Sequence, residues 1–225
     1  MLQKLNQIFI VNKQLALDLK LRDDATFSNY LGGAATKVLQ VDAWTYLWGK
    51  PGSGKTHLLQ AICHHTEGAI YLSGLKQHSK DVFDGLECMQ VVCIDDIHEV
   101  LDDADWQEAL FHLMNAIKDM DKRLYISGNK PVRGLSVGLA DLKSRLLAAA
   151  VVETDVLDDE QKLEVLVQRA ENRGFRMGED VARFILSRTS RDMRKLIDVL
   201  QHLELETLQQ GKRITIPFVK RTLNI

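Results

Sequence analysis

Short apolar runs alternate with longer segments of helical periodicity through the first two thirds of the chain. The spacing of apolar residues between the runs predicts helices over residues 56–65, 106–120 and 139–146. The runs themselves have the length and composition of buried strands: residues 44–48, 69–73, 91–94, 123–127 and 151–154. Because strand–helix alternation is typical of a parallel sheet with helices on its faces, the pattern predicts an α/β domain.

Helical segments follow one another from Asp158 onward. Asp158 is a good N-cap residue, and Gly174, Gly178 and the pair Thr189-Ser190 are expected to separate the helices. These signals predict a small all-helical domain at the end of the sequence. The chain then divides into a tail, an α/β domain and a helical domain, over residues 1–22, 23–157 and 158–225.

A complete phosphate loop directly follows the first strand-like run. Residues 49–56 read Gly-Lys-Pro-Gly-Ser-Gly-Lys-Thr and match the pattern G-x-x-x-x-G-K-[ST]. Glycine allows positive φ, so backbone N–H donors can converge on phosphate oxygens at the start of the next helix. Lys55 is expected to reach the β- and γ-phosphates, and Thr56 to coordinate Mg²⁺. The predicted nucleotide-binding residues here are Pro51, Gly52, Ser53, Gly54, Lys55, Thr56 and His57.

Two carboxylates and one amide stand where predicted strands end. Asp95 and Asp96 close the apolar run Val91–Ile94, and ligands of doubly wound sheets lie at the carboxyl ends of strands. We therefore predict that Asp95 binds Mg²⁺ and that Asp96 polarises an attacking water. Asn129, just past another run, is predicted to contact the γ-phosphate or that water. The alternative is that all three are ordinary turn residues.

Composition narrows the class of protein. With 31 acidic and 29 basic residues, the net charge of −2 argues against autonomous, strongly electrostatic binding of DNA. The cysteines at 63, 88 and 93 lack C-x-x-C spacing, so neither a disulfide framework nor a zinc site is predicted. No apolar stretch approaches transmembrane length, and the first residues lack a signal-peptide core. We expect a cytoplasmic protein without a membrane partner.

In this order, the motifs resemble the AAA+ family of P-loop NTPases, and in particular the initiator clade that contains the bacterial replication initiator DnaA. The resemblance covers about residues 23–225 and implies an AAA+ core followed by a helical lid. Residues 49–56 look like Walker A, residues 94–96 look like Walker B, and Asn129 falls at sensor 1. The ligands that this resemblance implies are ADP or ATP with Mg²⁺.

Three further residues take roles only from the resemblance. Phe27 lies in a segment similar to the one that frames the adenine. Arg145 falls in the segment of the arginine finger, which acts on the nucleotide of a neighbouring subunit. Arg194 falls at sensor 2, which reaches back to the phosphates. We therefore expect Arg145 to act in trans and Arg194 to act within its own site.

The sequence also departs from the family pattern. Asp96 stands where a glutamate is common, although the initiator clade shares this feature, so the chain's own ATPase is expected to be weak or absent. Residues 30–44 and 73–91 are short for the segments that the family places there.

Residues 14–19, Gln-Leu-Ala-Leu-Asp-Leu, resemble the Q-L-x-L-x-L peptide by which proteins dock on the bacterial sliding clamp, the β subunit of DNA polymerase III. In an extended conformation Leu15, Leu17 and Leu19 project to one side, while Gln14 offers its amide to polar groups. An edge strand or an ordinary tail segment is the alternative. DnaA continues past its lid into a helix-turn-helix domain, whereas this sequence ends at Ile225. The combination resembles the regulatory inactivators of DnaA within the clade.

The resemblance implies a regulator that meets ATP-bound DnaA head to tail and promotes its ATP hydrolysis while held on a DNA-loaded clamp. Contact with DNA would then be indirect, and a homo-oligomer is allowed. A helicase-loader or transposition-type AAA+ ATPase would share most motifs but bind single-stranded DNA through a basic groove. A nucleoside or nucleotide kinase would need an arginine-rich lid. A structural clamp-associated protein with an inert nucleotide is the last alternative.

Overall fold

The computed structural model describes residue 21 and residues 25–41, 44–210 and 213–225. Within these residues, five parallel strands form one sheet in the order β2-β3-β4-β1-β5. The strands are β1 Thr45–Trp48, β2 Ala69–Leu72, β3 Val91–Ile94, β4 Arg123–Gly128 and β5 Ala150–Glu153. Thr45 of β1 pairs with Tyr125 on one side and with Ala150 on the other. The prediction of a parallel sheet is confirmed.

Helices cover both faces of the sheet, which is why the strands read as continuous apolar runs. They are α1 Ala34–Gln40, α2 Lys55–His65, α3 Ala104–Asp119 and α4 Ala140–Ala148. One apolar cluster joins α3 and α4 to strand residues such as Val92 and Ile94. A second joins α1 and α2 to Leu47 and Cys93. The strand order therefore places β1, β3 and β4 between two apolar layers, with their carboxyl ends at one edge.

The two segments that are short for the family have definite structures. In the described part of residues 30–44, the α-helix is the two-turn α1. Between β2 and β3 the chain forms three short 3₁₀ helices, Leu75–Gln77, Lys80–Phe83 and Leu86–Cys88, in place of an α-helix. Val82, Phe83 and Leu86 from these turns are buried in the cluster under α3, so the segment still covers the sheet.

Four more helices follow the sheet: α5 Asp159–Asn172, α6 Glu179–Arg188, α7 Met193–Gln210 and α8 Ile216–Leu223. Asp158 caps α5 as predicted, because its side chain accepts the Gln161 N–H at 2.8 Å while the Gln161 side chain accepts the Asp158 N–H at 3.0 Å. Helix α5 ends two residues before Gly174, which has φ +82°. These helices share an apolar cluster of their own. The predicted change to an all-helical unit is confirmed.

No helix among the described residues is long and apolar enough to cross a membrane.

Candidate nucleotide site

A cavity of about 480 Å³ lies between the carboxyl edge of the sheet and the helices that follow it. One end of the cavity is polar and is formed by the phosphate loop, Asp95, Asp96 and Arg194. The other end is largely apolar and is lined by Ala25, Tyr30, Leu31, Leu157, Val165 and Ile197. Its size is in the range of small-molecule pockets, and its two ends match the polar and apolar parts of a nucleotide.

Close packing against β5 fixes the phosphate loop. A Cβ atom on Gly49 would stand 2.3 Å from Thr154 Oγ1 and 2.5 Å from the Thr154 carbonyl oxygen, so only glycine fits. Ser53 Oγ lies 2.6 Å from the same hydroxyl. Gly52 and Gly54 have φ of +79° and +88°, in the left-handed region that other residues rarely adopt. The loop is thus held in one shape at the start of α2.

The Lys55 amine is buried beneath this loop. Its Nζ donates to the Gly49 carbonyl at 2.9 Å and to the Lys50 carbonyl at 3.2 Å. Burial lowers the pKa of the Lys55 amine, against the opposing effect of the carboxylates of Asp96 and Asp95. The amine lies at the polar end of the cavity. Burial lowers its pKa more than the two nearby carboxylates raise it.

Three hydroxyl groups converge on the Asp95 carboxylate. Thr56 Oγ1 donates to Oδ2 at 2.7 Å, Tyr71 OH donates to Oδ2 at 2.9 Å, and Ser127 Oγ donates to Oδ1. Burial and the Asp95 charge raise the pKa of the Tyr71 phenol, which stays a donor. The two predicted Mg²⁺ ligands, Thr56 and Asp95, are therefore adjacent and supply the oxygen atoms that Mg²⁺ prefers.

Tyr71 and Ser127 were not predicted from the sequence. They belong to β2 and β4, the two strands that flank β3. Tyr71 pairs with Cys93 two residues before Asp95, and Ser127 lies one register position beyond Ile126, the partner of Ile94. The sequence signal that could have identified them is a polar residue near the end of an apolar strand. This signal indicates a site residue only once the strand order shows which strands are neighbours.

Asp96 has an unusual backbone and a mixed electrostatic environment. Its φ is +52°, and its N–H donates to Ser127 Oγ at 2.8 Å. Its carboxylate oxygens lie 3.8 Å from His98 Nδ1 and 4.0 Å from Arg194 Nη2. Burial, and next the Asp95 charge, raise the pKa of the Asp96 carboxyl, while Lys55 acts in the opposite direction. The ionised form of Asp96 is therefore disfavoured in the folded protein.

We expect Asp96→Asn to raise the free energy of unfolding of the nucleotide-free protein at pH 7. A raised pKa means that the folded state holds this proton more tightly than the unfolded state does, so stability from this group falls as pH rises through the folded pKa. Asparagine is neutral at every pH and tolerates positive φ. Urea denaturation should show the gain at pH 7 and its loss towards pH 4. The exposed Asp84→Asn is the control, and a variant no more stable than wild type at pH 7 would contradict this account.

The helical unit contributes two arginines to the cavity. Arg194 of α7 is the predicted one, and its side chain is 61% exposed. Arg169 of α5 was missed, since nothing in the sequence distinguishes it from the other arginines of these helices. It is buried, and its Nη2 lies 2.9 Å from Nδ1 of His57. His57 is one of the predicted nucleotide-binding residues, and it lines the same cavity.

Other predicted site residues do not line the cavity. Phe27 packs edge-on against His65, with ring centroids 5.6 Å apart, and Tyr30 lies at the cavity instead. Burial raises the pKa of the Tyr30 phenol to about 12. Pro51 is exposed, and so is Asn129 just past β4. In this structure the residue of β4 that bonds the Asp95 carboxylate is Ser127, and the role of Asn129 stays a prediction.

Arg145 lies on α4, away from the cavity. Its helix packs through Leu142 and Leu146, which are fully buried, and leaves Arg145 partly exposed. No hydrogen bond or ion pair joins its side chain to another residue of the described part of the chain.

The residues of the predicted clamp peptide, Gln14, Leu15, Leu17 and Leu19, lie outside the described residues.

Similarity to known proteins agrees with this geometry. A family model described as the lid domain of Hda matches residues 159–223, and one described as RNA helicase matches residues 45–124. An uncharacterized protein of Haemophilus influenzae is 39% identical over 233 residues, which cover 96% of this chain and all of that protein.

Two solved structures have the same fold. Domain III of the replication initiation protein DnaA from Thermotoga maritima superposes with a TM-score of 0.75 at 21% identity, over 90% of this chain and 96% of that one. AMPPCP-bound DnaA from Aquifex aeolicus gives a TM-score of 0.62 at 19% identity, over 85% of this chain and 69% of that one. At these identities the likeness concerns the fold.

Proposed function

We propose a function from one premise: this chain is an Hda-like protein with the AAA+ fold of DnaA domain III. The proposal is that it is a negative regulator of replication initiation in the bacterial cytoplasm. It would promote hydrolysis of the ATP bound to DnaA, supplying Arg145 in trans, and would do so while attached to the DNA-loaded sliding clamp. Its three units, residues 1–22, 23–157 and 158–225, would serve as clamp anchor, nucleotide-binding core and lid.

The chain's own site would hold ADP or ATP with Mg²⁺. The loop N–H groups, the Lys55 amine and Arg194 would bind the phosphates, and Thr56 and Asp95 would hold the metal ion. This assignment is supported by the way these groups surround one end of a single cavity and by the AMPPCP in the DnaA structure that shares the fold. Bound Mg²⁺ would neutralise phosphate charge. Slow turnover at this site would let the nucleotide act mainly as a structural ligand between core and lid.

The position of Arg145 carries the proposed mechanism. Its guanidinium lies outside the chain's own cavity, is partly exposed, and has no ion-pair partner among the described residues. An arginine with this placement can serve a nucleotide on another subunit, where it would stabilise the charge that develops on the γ-phosphate. Asp96 and Asn129 would belong to the chain's own site. Head-to-tail contact with DnaA would bring Arg145 to the ATP of DnaA.

Attachment to the clamp would restrict the reaction in space. Residues 14–19 would bind an apolar groove of the clamp, so contact with DNA would be indirect. A tethered pair reacts at an effective concentration in the millimolar range when the linker is short, without any new contact. DnaA would thus be inactivated where a loaded clamp is present, after initiation has fired.

Reconstitution of the reaction tests the proposal. ATP-bound DnaA, labelled in the nucleotide, is incubated with this protein, with ADP and with clamp loaded on DNA, and its conversion to ADP-bound DnaA is measured by chromatography of the nucleotide. Conversion should need all three components. If conversion is no faster with this protein than without it, the proposed function is wrong, and a loader-type ATPase becomes the first choice.

The double substitution Leu17→Ala and Leu19→Ala should abolish retention on immobilised clamp. Each leucine would lose about 1.5–3 kcal/mol of burial in the groove, so the two together would remove about 3–6 of the roughly 8 kcal/mol of a micromolar peptide complex. Gln14→Ala should weaken retention as well. Thermal unfolding and ADP binding should stay unchanged, and Lys20→Ala is the control within the same tail. Wild-type retention of the double variant would show that these residues are not the docking peptide.

A further inference from the structure

His57 joins three parts of the molecule at the nucleotide cavity. Its ring Nε2 lies 2.7 Å from the Thr26 carbonyl oxygen, in the segment before α1. Its Nδ1 lies 2.9 Å from Nη2 of Arg169 on α5. The ring also packs edge-on against Tyr30, with centroids 5.4 Å apart. Both His57 and Arg169 line the nucleotide cavity.

The two contacts fix the protonation of His57. A carbonyl oxygen can only accept a hydrogen bond, so Nε2 must carry the proton that it donates to Thr26. A guanidinium can only donate, so Nδ1 must be the bare nitrogen that accepts from Arg169. In these two contacts His57 acts once as donor and once as acceptor. Any substitute that keeps the bridge must supply both functions.

His57 is also tied to the phosphate loop by the chain itself. It directly follows Thr56 in the first turn of α2, the helix that begins at Lys55. A phosphate bound by the loop would hold this first turn, and the imidazole with it, in place. Hydrogen bonds depend steeply on distance and angle, so holding the imidazole in place also holds the bond to Arg169. Arg169 is 6% exposed, and a charge this deeply buried responds strongly to the loss of a partner.

We propose that His57 and Arg169 form a latch between the core and the helical unit, through which a nucleoside diphosphate in the cavity holds α5 closed. The proposal rests on the proposed nucleotide site and adds the two residues that transmit its occupancy. His57 and Arg169 act here as positioning residues. Closure of the lid sets the geometry in which this protein meets its partner, so the latch links its own nucleotide to that meeting.

Hydrogen exchange of the α5 amides in the full-length protein, with and without saturating ADP and Mg²⁺, tests the latch. We expect ADP to slow exchange over Asp159–Asn172 by about tenfold in the wild type, a typical coupling between sites. In His57→Leu and Arg169→Met that slowing should fall to about twofold or less. His57→Gln should restore it, because the amide supplies both a donor and an acceptor.

Asn172→Ala is the matched control. Its Nδ2 donates to Asn29 Oδ1 at 2.7 Å, so the substitution removes another bond from α5 to the same N-terminal segment. Asn172 itself is exposed and does not line the cavity, although Asn29 does. It should leave the ADP effect intact. A general loss of stability would shift exchange equally with and without ADP, whereas loss of the latch removes the difference between the two states.

Two results would overturn the latch: slowing as in the wild type for His57→Leu at saturating ADP, or a defect in His57→Gln as large as in His57→Leu. Either result leaves the proposed regulation of DnaA standing, because that is decided separately by the conversion of ATP-bound DnaA. Failure of that conversion with a normal ADP effect on α5 would overturn the regulation and keep the latch.

Discussion

Arg145→Ala should eliminate the DnaA-dependent hydrolysis of ATP and leave ADP binding and clamp binding near wild-type levels. An arginine supplied in trans is worth about 10³–10⁵ in rate, or about 4–7 kcal/mol at 1.4 kcal/mol per factor of ten. The side chain lies outside the chain's own cavity, which is why nucleotide affinity should not change. Its helix packs through Leu142 and Leu146, so removing the guanidinium should also leave stability unchanged. Single-turnover conversion of ATP-bound DnaA measures the effect.

Two variants of the same helix sharpen this test. Arg145→Lys keeps the charge but loses the planar fork that can bridge two phosphate oxygens, so it should recover only a small part of the rate. Lys143→Ala removes a neighbouring cation and should change conversion by no more than about twofold if long-range charge contributes little. If the Arg145→Ala variant converted ATP-bound DnaA at the wild-type rate, the in-trans mechanism would be wrong.

The fold was predictable because its signals are local. The central strands β1, β3 and β4 are buried on both faces and therefore read as apolar runs, as in Val91–Ile94, and the cap at Asp158 depends on residues three apart. The bounds of the elements shifted by one or two residues: the helix predicted over residues 56–65 begins at Lys55. The helix α1 was not predicted, because seven residues give too few apolar positions for a periodic signal.

Site residues could be predicted from the sequence only where they belong to one contiguous motif. The phosphate loop and the acids after β3 are contiguous motifs, and the structure brings them together. Tyr71, Ser127 and Arg169 come from other strands or helices, and their roles depend on strand order and on how α5 packs. The resemblance indicated the segment that contains both Phe27 and Tyr30, but which of the two rings faces the cavity depends on packing.

Lys55→Ala should weaken binding of ADP by a factor on the order of 10²–10³. In the structure the buried amine donates to the carbonyls of Gly49 and Lys50 from below the loop. Phosphate oxygens would accept from it as charged partners, and two such hydrogen bonds at about 1.5–2 kcal/mol each give a loss of about 3–4 kcal/mol. Isothermal titration with ADP and Mg²⁺ measures the change. Conversion of ATP-bound DnaA should fall much less than in Arg145→Ala, because the loss acts through the angle between core and lid.

Lys50→Ala provides the matched control for this loop. Lys50 is exposed, and it does not line the cavity. It accepts the hydrogen bond from Lys55 through its backbone carbonyl oxygen, which the substitution keeps. Its affinity for ADP should stay within about twofold of the wild type, as expected for an exposed cation screened by solvent. The nucleotide-free Lys55→Ala protein should remain folded, since loss of the buried amine also removes its desolvation cost. Wild-type affinity in Lys55→Ala would mean that the loop does not bind the phosphates through this amine, and the proposed roles of Thr56 and Asp95 would fail with it.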